Sequence, residues 1–232
     1  MGSFADLSLG RVASPRSTQV HLWRAPLDLS DDVARVVCAS LSADEVLRAQ
    51  RRRSGADRER FAAGRGWLRV LLGAYLDVAA AEVVLGRDER GRPRVEMPGA
   101  PDGDWLRFNL AHSGSVAVFA VARGREVGVD VEMVRDVDAE AIARRSFSAR
   151  QHGELMQLPR ESRAGTFFAM WTHNEAYLKG LGTGLHRGGD VDGTPGWSMT
   201  AFDVVPGYAG AVAVAGTGVE VPLVARELSL GS

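Results

Sequence analysis

The chain has 232 residues, 45% of them apolar and 25% charged, and its 28 basic and 29 acidic side chains leave a formal charge of −1. That length buries a substantial core as one domain or as two lobes, and the near-neutral charge argues against a whole-molecule nucleic-acid binder. No apolar run approaches the about 20 residues that cross a bilayer, the first 17 residues lack the apolar stretch of a secretory signal, and the single Cys38 leaves no internal disulfide and no Cys-based metal cluster. A cytoplasmic protein without a membrane or nucleic-acid partner is expected.

In chain order, QVHLWRAPL (19–27) alternates apolar and polar residues and predicts an opening strand closed by Pro26. Residues 31–50 carry helical spacing, with a capped start at Ser42. A basic stretch follows, running from Arg48 through Arg51, Arg52 and Arg53 to Arg58 and Arg60. Residues 57–76 predict an amphipathic helix carrying Phe61, Leu68, Leu71, Leu72 and Tyr75. A turn and short strand at 88–97 precede an extended segment, RFNLAHSG (107–114), that breaks at Gly114. SVAVFAVA (115–122) and VGVDVEMV (127–134), joined by a tight link, read as a hairpin or a pair of adjacent strands. Helices are expected at 138–147, from Ser148 to Leu155, and at 163–181, the last ending at Gly182. A Gly-rich loop (182–196) and three strands, WSMTAFDVV, AGAVAVAG and VPLVARELS, complete the chain.

Two self-similarities stand out. RFAAGRGWLRVLLGAYL and TFFAMWTHNEAYLKGLG share an apolar register, and AVFAVARG resembles AVAVAGTG. They imply either duplicated α+β halves with a boundary near 125 or chance likeness between two amphipathic helices.

The chemistry concentrates in GVDVE (128–132) and WTHNEAYLK (171–179). Strand alternation puts Val129 and Val131 on one face and Asp130 and Glu132 on the other. On the helix, Trp171, Glu175, Leu178 and Lys179 share a side. Three crowded carboxylates without a cation raise one another's pKa values, and an oxygen-only donor set suits Mg²⁺ better than zinc. The plain alternatives are two solvated acids on a strand and a Glu175–Lys179 ion pair on the helix. His112, in NLAHSG, is either a turn histidine satisfied by the backbone or, with Ser113, a donor to phosphate. The arginine cluster is either a solvated helix face or a grip on several phosphates.

The ordered set GRP (91–93), FNLAHSG (108–114), VGVDVE (127–132), FS (147–148) and WTHNEAYLKGLGTGL (171–185) resembles the 4′-phosphopantetheinyl transferases of the surfactin-synthetase-activating type. The resemblance implies an α+β fold of two similar halves, 1–125 and 126–232, in pseudo-twofold arrangement, each a small antiparallel sheet packed against a long helix. It implies transfer of the phosphopantetheine arm of coenzyme A to a serine of acyl, polyketide or peptidyl carrier domains, with release of 3′,5′-ADP. By the same resemblance Asp130, Glu132 and Glu175 hold Mg²⁺, with Mn²⁺ as its substitute, and Glu175 with Lys179 helps deprotonate the serine. His112, Ser113, Lys179, Arg48, Arg60 and Arg65 then bind the coenzyme A phosphates, and Arg92 and Pro93 lie beside the adenine. Both halves of the site in one chain imply a monomer. Three positions depart from the family pattern. Asn174 stands where Lys is usual, Arg92 replaces Lys, and Ala111 replaces Ser. The first implies a lost positive charge near the phosphates and, as the alternative, a coenzyme A- or carrier-binding protein with weak or no transfer.

Overall fold

In the computed structural model, residues 11–96, 106–183, 194–216 and 223–228 are described. The alternating opening segment forms β1 (Val20–Pro26), with Val20 and Leu22 on one face and Trp23 and Ala25 on the other. The helical stretch after it is two helices, α1 (Asp31–Cys38) and α2 (Ala43–Gln50). The break falls where Ser42 takes an extended backbone and caps α2: its hydroxyl accepts from the Glu45 amide while the Glu45 carboxylate accepts from the Ser42 amide.

The next helix, α3 (Gly55–Leu76), starts on Ser54, whose hydroxyl accepts from the Asp57 amide. Its expected one-sided stripe is wider than the spacing predicts. From Ala63 to Tyr75 all but Arg65 and Ala74 are buried, because the helix shares a core with the first sheet on one side and is covered by α1, α2 and the 80–82 turn on others. Gly66 lies so close to the Val37 carbonyl of α1 that a methyl there would collide with it.

A short hairpin, β2 (Leu85–Arg87) and β3 (Pro93–Val95), leads to β4 (Leu106–Ser113) and β5 (Val116–Arg123). β4 and β5 are joined by the two-residue turn Gly114–Ser115, and only Gly114 has positive φ, at 55°. That pattern is the type II′ hairpin, which favours glycine at its first central position. The first sheet has the order β4-β5-β1-β9 and is antiparallel except where β9 (Leu223–Glu227) runs parallel to β1.

The expected pairing of 115–122 with 127–134 does not occur. β5 already has β4 and β1 as neighbours, so β6 (Val127–Met133) pairs instead with β8 (Tyr208–Ala215). β7 (Trp197–Ala201) completes an antiparallel three-stranded sheet, β6-β8-β7. Most of the Gly-rich loop expected at 182–196 lies outside the described residues.

The remaining helices are α4 (Ala139–Ser146), α5 (Ala149–Met156) and α6 (Arg160–Leu181). Ser148 caps α5 through a reciprocal box with Gln151, and α6 ends on Gly182 at φ 72°. The layers run α3, first sheet, second sheet, α6. Val20, Leu22, Val118 and Ala120 meet Val129, Val131, Val212 and Val214 between the sheets, and each fully buried valine contributes about 1.5–3 kcal/mol. Ala176 of α6 packs on Ala211 and Ala213 of the second sheet, and a further aromatic cluster, Phe147, Phe167 and Phe168, joins α4 and α5 to α6. The fold is α+β, each small sheet lying against a helix of 22 residues. No helix among the described residues is long and apolar enough to cross a membrane.

Candidate active site on the β6 strand and the α6 helix

Two glycines bring α6 down onto β6. A methyl at Gly128 would collide with the Ala176 carbonyl and the Gly180 amide, and one at Gly180 would strike the Trp197 ring at 2.5 Å. Helix and strand backbones therefore touch, and the side chains flanking the contact are forced together: Asp130 from the strand, Glu175 and Lys179 from the helix. Val129 and Val131 point the other way, into the inter-sheet core, as the alternation predicts.

Asp130 is buried, its side chain only 6% exposed, and Lys179 Nζ donates to its Oδ1 at 2.6 Å. Its other oxygen, Oδ2, is buried without a hydrogen-bond partner among the described residues. Burial pushes the Asp130 pKa up to about 6, against the pull of Lys179 and with a further push from Glu132. Glu175 rises to about 7, first through burial and then through Asp130 and Glu132, again opposed by Lys179. The two acids so feel one another. The helical ion pair Glu175–Lys179 does not form; Lys179 reaches across to the strand instead. Glu132 accepts a hydrogen bond from Ser113 Oγ at 2.7 Å and lies 3.6 Å from Arg135.

Among the described residues no three His, Cys, Asp or Glu side chains are gathered as a ready metal cage. Lys179 engages Asp130, and Ser113 draws Glu132. The chemistry nonetheless fits a hard cation: all donors are oxygens, one buried carboxylate oxygen has no partner, and burial together with the neighbouring carboxylates raises the pKa values of Asp130 and Glu175 despite Lys179.

Ser113 also positions the strands. Its Oγ accepts from the Met133 amide at 3.1 Å, while Asn109 Oδ1 accepts from the Val129 amide at 3.2 Å. Two side chains four residues apart thus stitch the edge of β4 to the edge of β6.

Two grooves open beside these acids. One, of about 440 Å³, is lined by Arg48, Arg65, Arg87, Pro93, Asn109 and Lys179. The other, of about 540 Å³, is lined by Arg51, Arg52, Arg53, Arg60, His112 and Ser113. Phe61, under the Arg52 guanidinium at 4.4 Å, forms part of both walls. His112 is exposed at the groove surface, yet the surrounding protein, then Lys179 and Arg52, lower its pKa.

Comparison with known proteins gives the family. Residues 126–213 match the profile of the 4′-phosphopantetheinyl transferase superfamily, and residues 29–124 match that of the 4′-phosphopantetheinyl transferase N-terminal region. The 4′-phosphopantetheinyl transferase HetI of a Nostoc strain is 38% identical over 215 residues, which cover 87% of this chain and 90% of that protein. The chain belongs to the 4′-phosphopantetheinyl transferase superfamily. Other similar proteins are the 4′-phosphopantetheinyl transferase AcpT of Salmonella typhimurium, 34% identical over 59% of this chain and 63% of its own, and Sfp of Bacillus subtilis, 25% identical over 64% and 70%.

Within this phosphopantetheinyl transferase the expected phosphate-binding cations are not equivalent. Arg48 lines a groove and pairs with the exposed Asp44 at 3.5 Å. Arg60 lines the other but is held bidentately by Asp28, at 2.6 and 3.0 Å. Arg65 is paired with the buried Glu45 at 2.6 Å. Arg92 differs most from expectation: its guanidinium bonds Asp88 at 2.7 Å, Glu126 at 3.0 Å and the Gly180 carbonyl at 2.9 Å. It joins the β2–β3 hairpin to the end of α6 and is committed to protein partners, while Pro93 remains on a groove wall.

Asn174 also lies elsewhere than expected. It is buried, and its amide exchanges two hydrogen bonds with Gln151 of α5, at 3.0 and 3.2 Å. The position thus faces α5 rather than the grooves, although Glu175 beside it turns toward Asp130. Sequence reasoning passes over Asn109, Gln151 and Glu45. Only the last two carry a local signal, as third residues of capping boxes.

Proposed function

We propose that the chain moves the 4′-phosphopantetheine group of coenzyme A onto a serine hydroxyl of acyl, polyketide or peptidyl carrier domains, with Mg²⁺ as cofactor and 3′,5′-ADP as the second product. The observation that carries this reading is the placement of two mutually repelling acids, Asp130 and Glu175, with Lys179 at the edge of an arginine-lined groove. The serine oxygen bonds to the β-phosphorus, the bond from that phosphorus to the oxygen bridging to the α-phosphate breaks, and the nucleotide leaves on that oxygen.

Asp130, Glu132 and Glu175 would hold the cation, which supplies positive charge to the pyrophosphate oxygens. Lys179 and His112, with Arg48 and Arg60 at the groove walls, bind the phosphates and hold the reacting phosphorus in line. Glu175, beside Asp130 and Lys179, takes the serine proton, directly or through one water. Arg65 supports the groove through Glu45, and Arg92 fixes the end of α6. Every group in this scheme comes from one chain, in keeping with a monomer. Halves at 1–125 and 126–232 are supported by the junction between the two family matches, although β9 returns to the first sheet.

The alternative of a binding protein without transfer rests on Asn174. With that side chain turned to Gln151, the residue takes no positive charge from the grooves, and the transferase reading stands ahead.

The test is intact-protein mass spectrometry of an apo carrier domain incubated with the chain, coenzyme A and Mg²⁺. A mass gain of one phosphopantetheine arm, abolished by EDTA and by Asp130→Ala or Glu175→Ala, is expected. Unmodified carriers across several classes, with coenzyme A still bound, would return the reading to a binding protein.

A further inference from the structure

Lys179 faces a choice of carboxylates and takes the strand's. Glu175 lies one turn back on its own helix, yet the ammonium is 2.6 Å from Asp130. The lysine side chain is 32% exposed and lines the groove, while its partner carboxylate is 6% exposed. The ammonium therefore sits at the boundary between the groove and the buried Asp130, on a flexible stem that can turn either way. It satisfies one oxygen of Asp130 and leaves Oδ2 bare. Glu132 draws instead on Ser113 and Arg135, so Lys179 is the one cation paired with Asp130 among the described residues.

We infer that Lys179 is an internal stand-in for the divalent cation, occupying Asp130 until a phosphate in the groove draws the ammonium away and frees the carboxylate. This rests on the metal reading above and adds an order of events to it. The cation alone must compete with a tethered ammonium, whereas a phosphate-bearing ligand removes that competitor. Binding of cation and phosphate is then mutually strengthening, and by linkage each tightens the other by the same factor. Lys179 thereby also keeps the buried Asp130 carboxylate tolerable in the cation-free protein.

The experiment is a titration of the full chain with Mn²⁺, with free ion followed by electron paramagnetic resonance, without and with saturating coenzyme A. Wild type, Lys179→Met and Lys179→Gln are compared, with Asp130→Asn as control, and each is melted in EDTA and in Mn²⁺. Removing the competing charge is expected to tighten Mn²⁺ binding in the absence of coenzyme A by about tenfold or more. Both Lys179 variants should melt below wild type in EDTA and recover that difference in Mn²⁺. Coenzyme A should then tighten Mn²⁺ binding less in the variants than in wild type. If wild type binds Mn²⁺ and the folded variants bind it no more tightly, the inference is overturned and the metal reading survives. If wild type binds no Mn²⁺ even with coenzyme A, the metal reading falls and takes the inference with it.

Discussion

Asn174 and Glu175 are neighbours in sequence and strangers in space. About 100° of helix rotation separates them, so one amide enters the α5 contact while the next carboxyl turns toward β6. An ammonium introduced at 174 would have to displace a pair of buried hydrogen bonds and lose its water. Asn174→Lys is therefore expected to cost about 2–4 kcal/mol of stability without raising the transfer rate. Urea unfolding and a carrier-modification assay check both parts. A faster enzyme of unchanged stability would put position 174 back at the phosphates. His21 shows the same rule on a titratable core group. Its Nδ1 lies 2.6 Å from the Tyr75 hydroxyl, whose oxygen accepts from Trp23 Nε1 at 2.9 Å. Burial, then the charge of Arg226, lowers its pKa below the ordinary 6.5. Because the folded protein resists this protonation, the contribution is fully present above pH 6.5 and is lost as pH falls through the lowered folded value. The urea midpoint should drop between pH 7.5 and 5.5, and drop less in His21→Asn. Equal slopes for the two proteins would remove His21 as the cause.

At the scale of elements, the contact between β6 and α6 decides whether the acids meet. It depends on the absence of side chains at Gly128 and Gly180, since in both places the neighbouring atoms are backbone or a packed indole ring that cannot yield cheaply. Gly128→Ala is expected to cost about 3 kcal/mol and, by lifting α6 away from the strand, to reduce transfer in the fraction that still folds. Gly153 of α5 provides the contrast: nothing lies within 4 Å of an added methyl there. Gly153→Ala should stabilise the helix by about 0.5–1 kcal/mol and leave transfer unchanged. Chemical denaturation of the two variants side by side makes the comparison. Equal effects would mean that close approach at Gly128 does not govern the packing.

Across the whole molecule, the two sheets are held together by more than their shared valine layer. Asn109 and Ser113 join the edges of β4 and β6, Arg92 ties the β2–β3 hairpin to Glu126 and to the end of α6, and β9 crosses back to lie beside β1. Leu228, just past β9, is fully buried in the core of the first half. These ties fix how the groove cations from α2 and α3 face the acids on β6 and α6. They also make the final strand part of the first half's stability, although it lies about two hundred residues from β1.

What repeats locally is legible in the sequence. Alternation in VGVDVE put the valines inward and the acids together, helical spacing placed Glu175 and Lys179 on one side, and Ser42, Ser148, Gly114 and Gly182 marked where elements start and stop. Those signals are legible because backbone periodicity and caps depend on residues a few positions apart. Partner choice is not of that kind. That Lys179 bonds Asp130 rather than Glu175, that Arg92 is consumed by Asp88 and Glu126, and that β6 leaves β5 for β8 follow from distances set by packing. Each such group has several chemically equal partners in the sequence, and only the tertiary structure, by burying one and exposing another, selects among them.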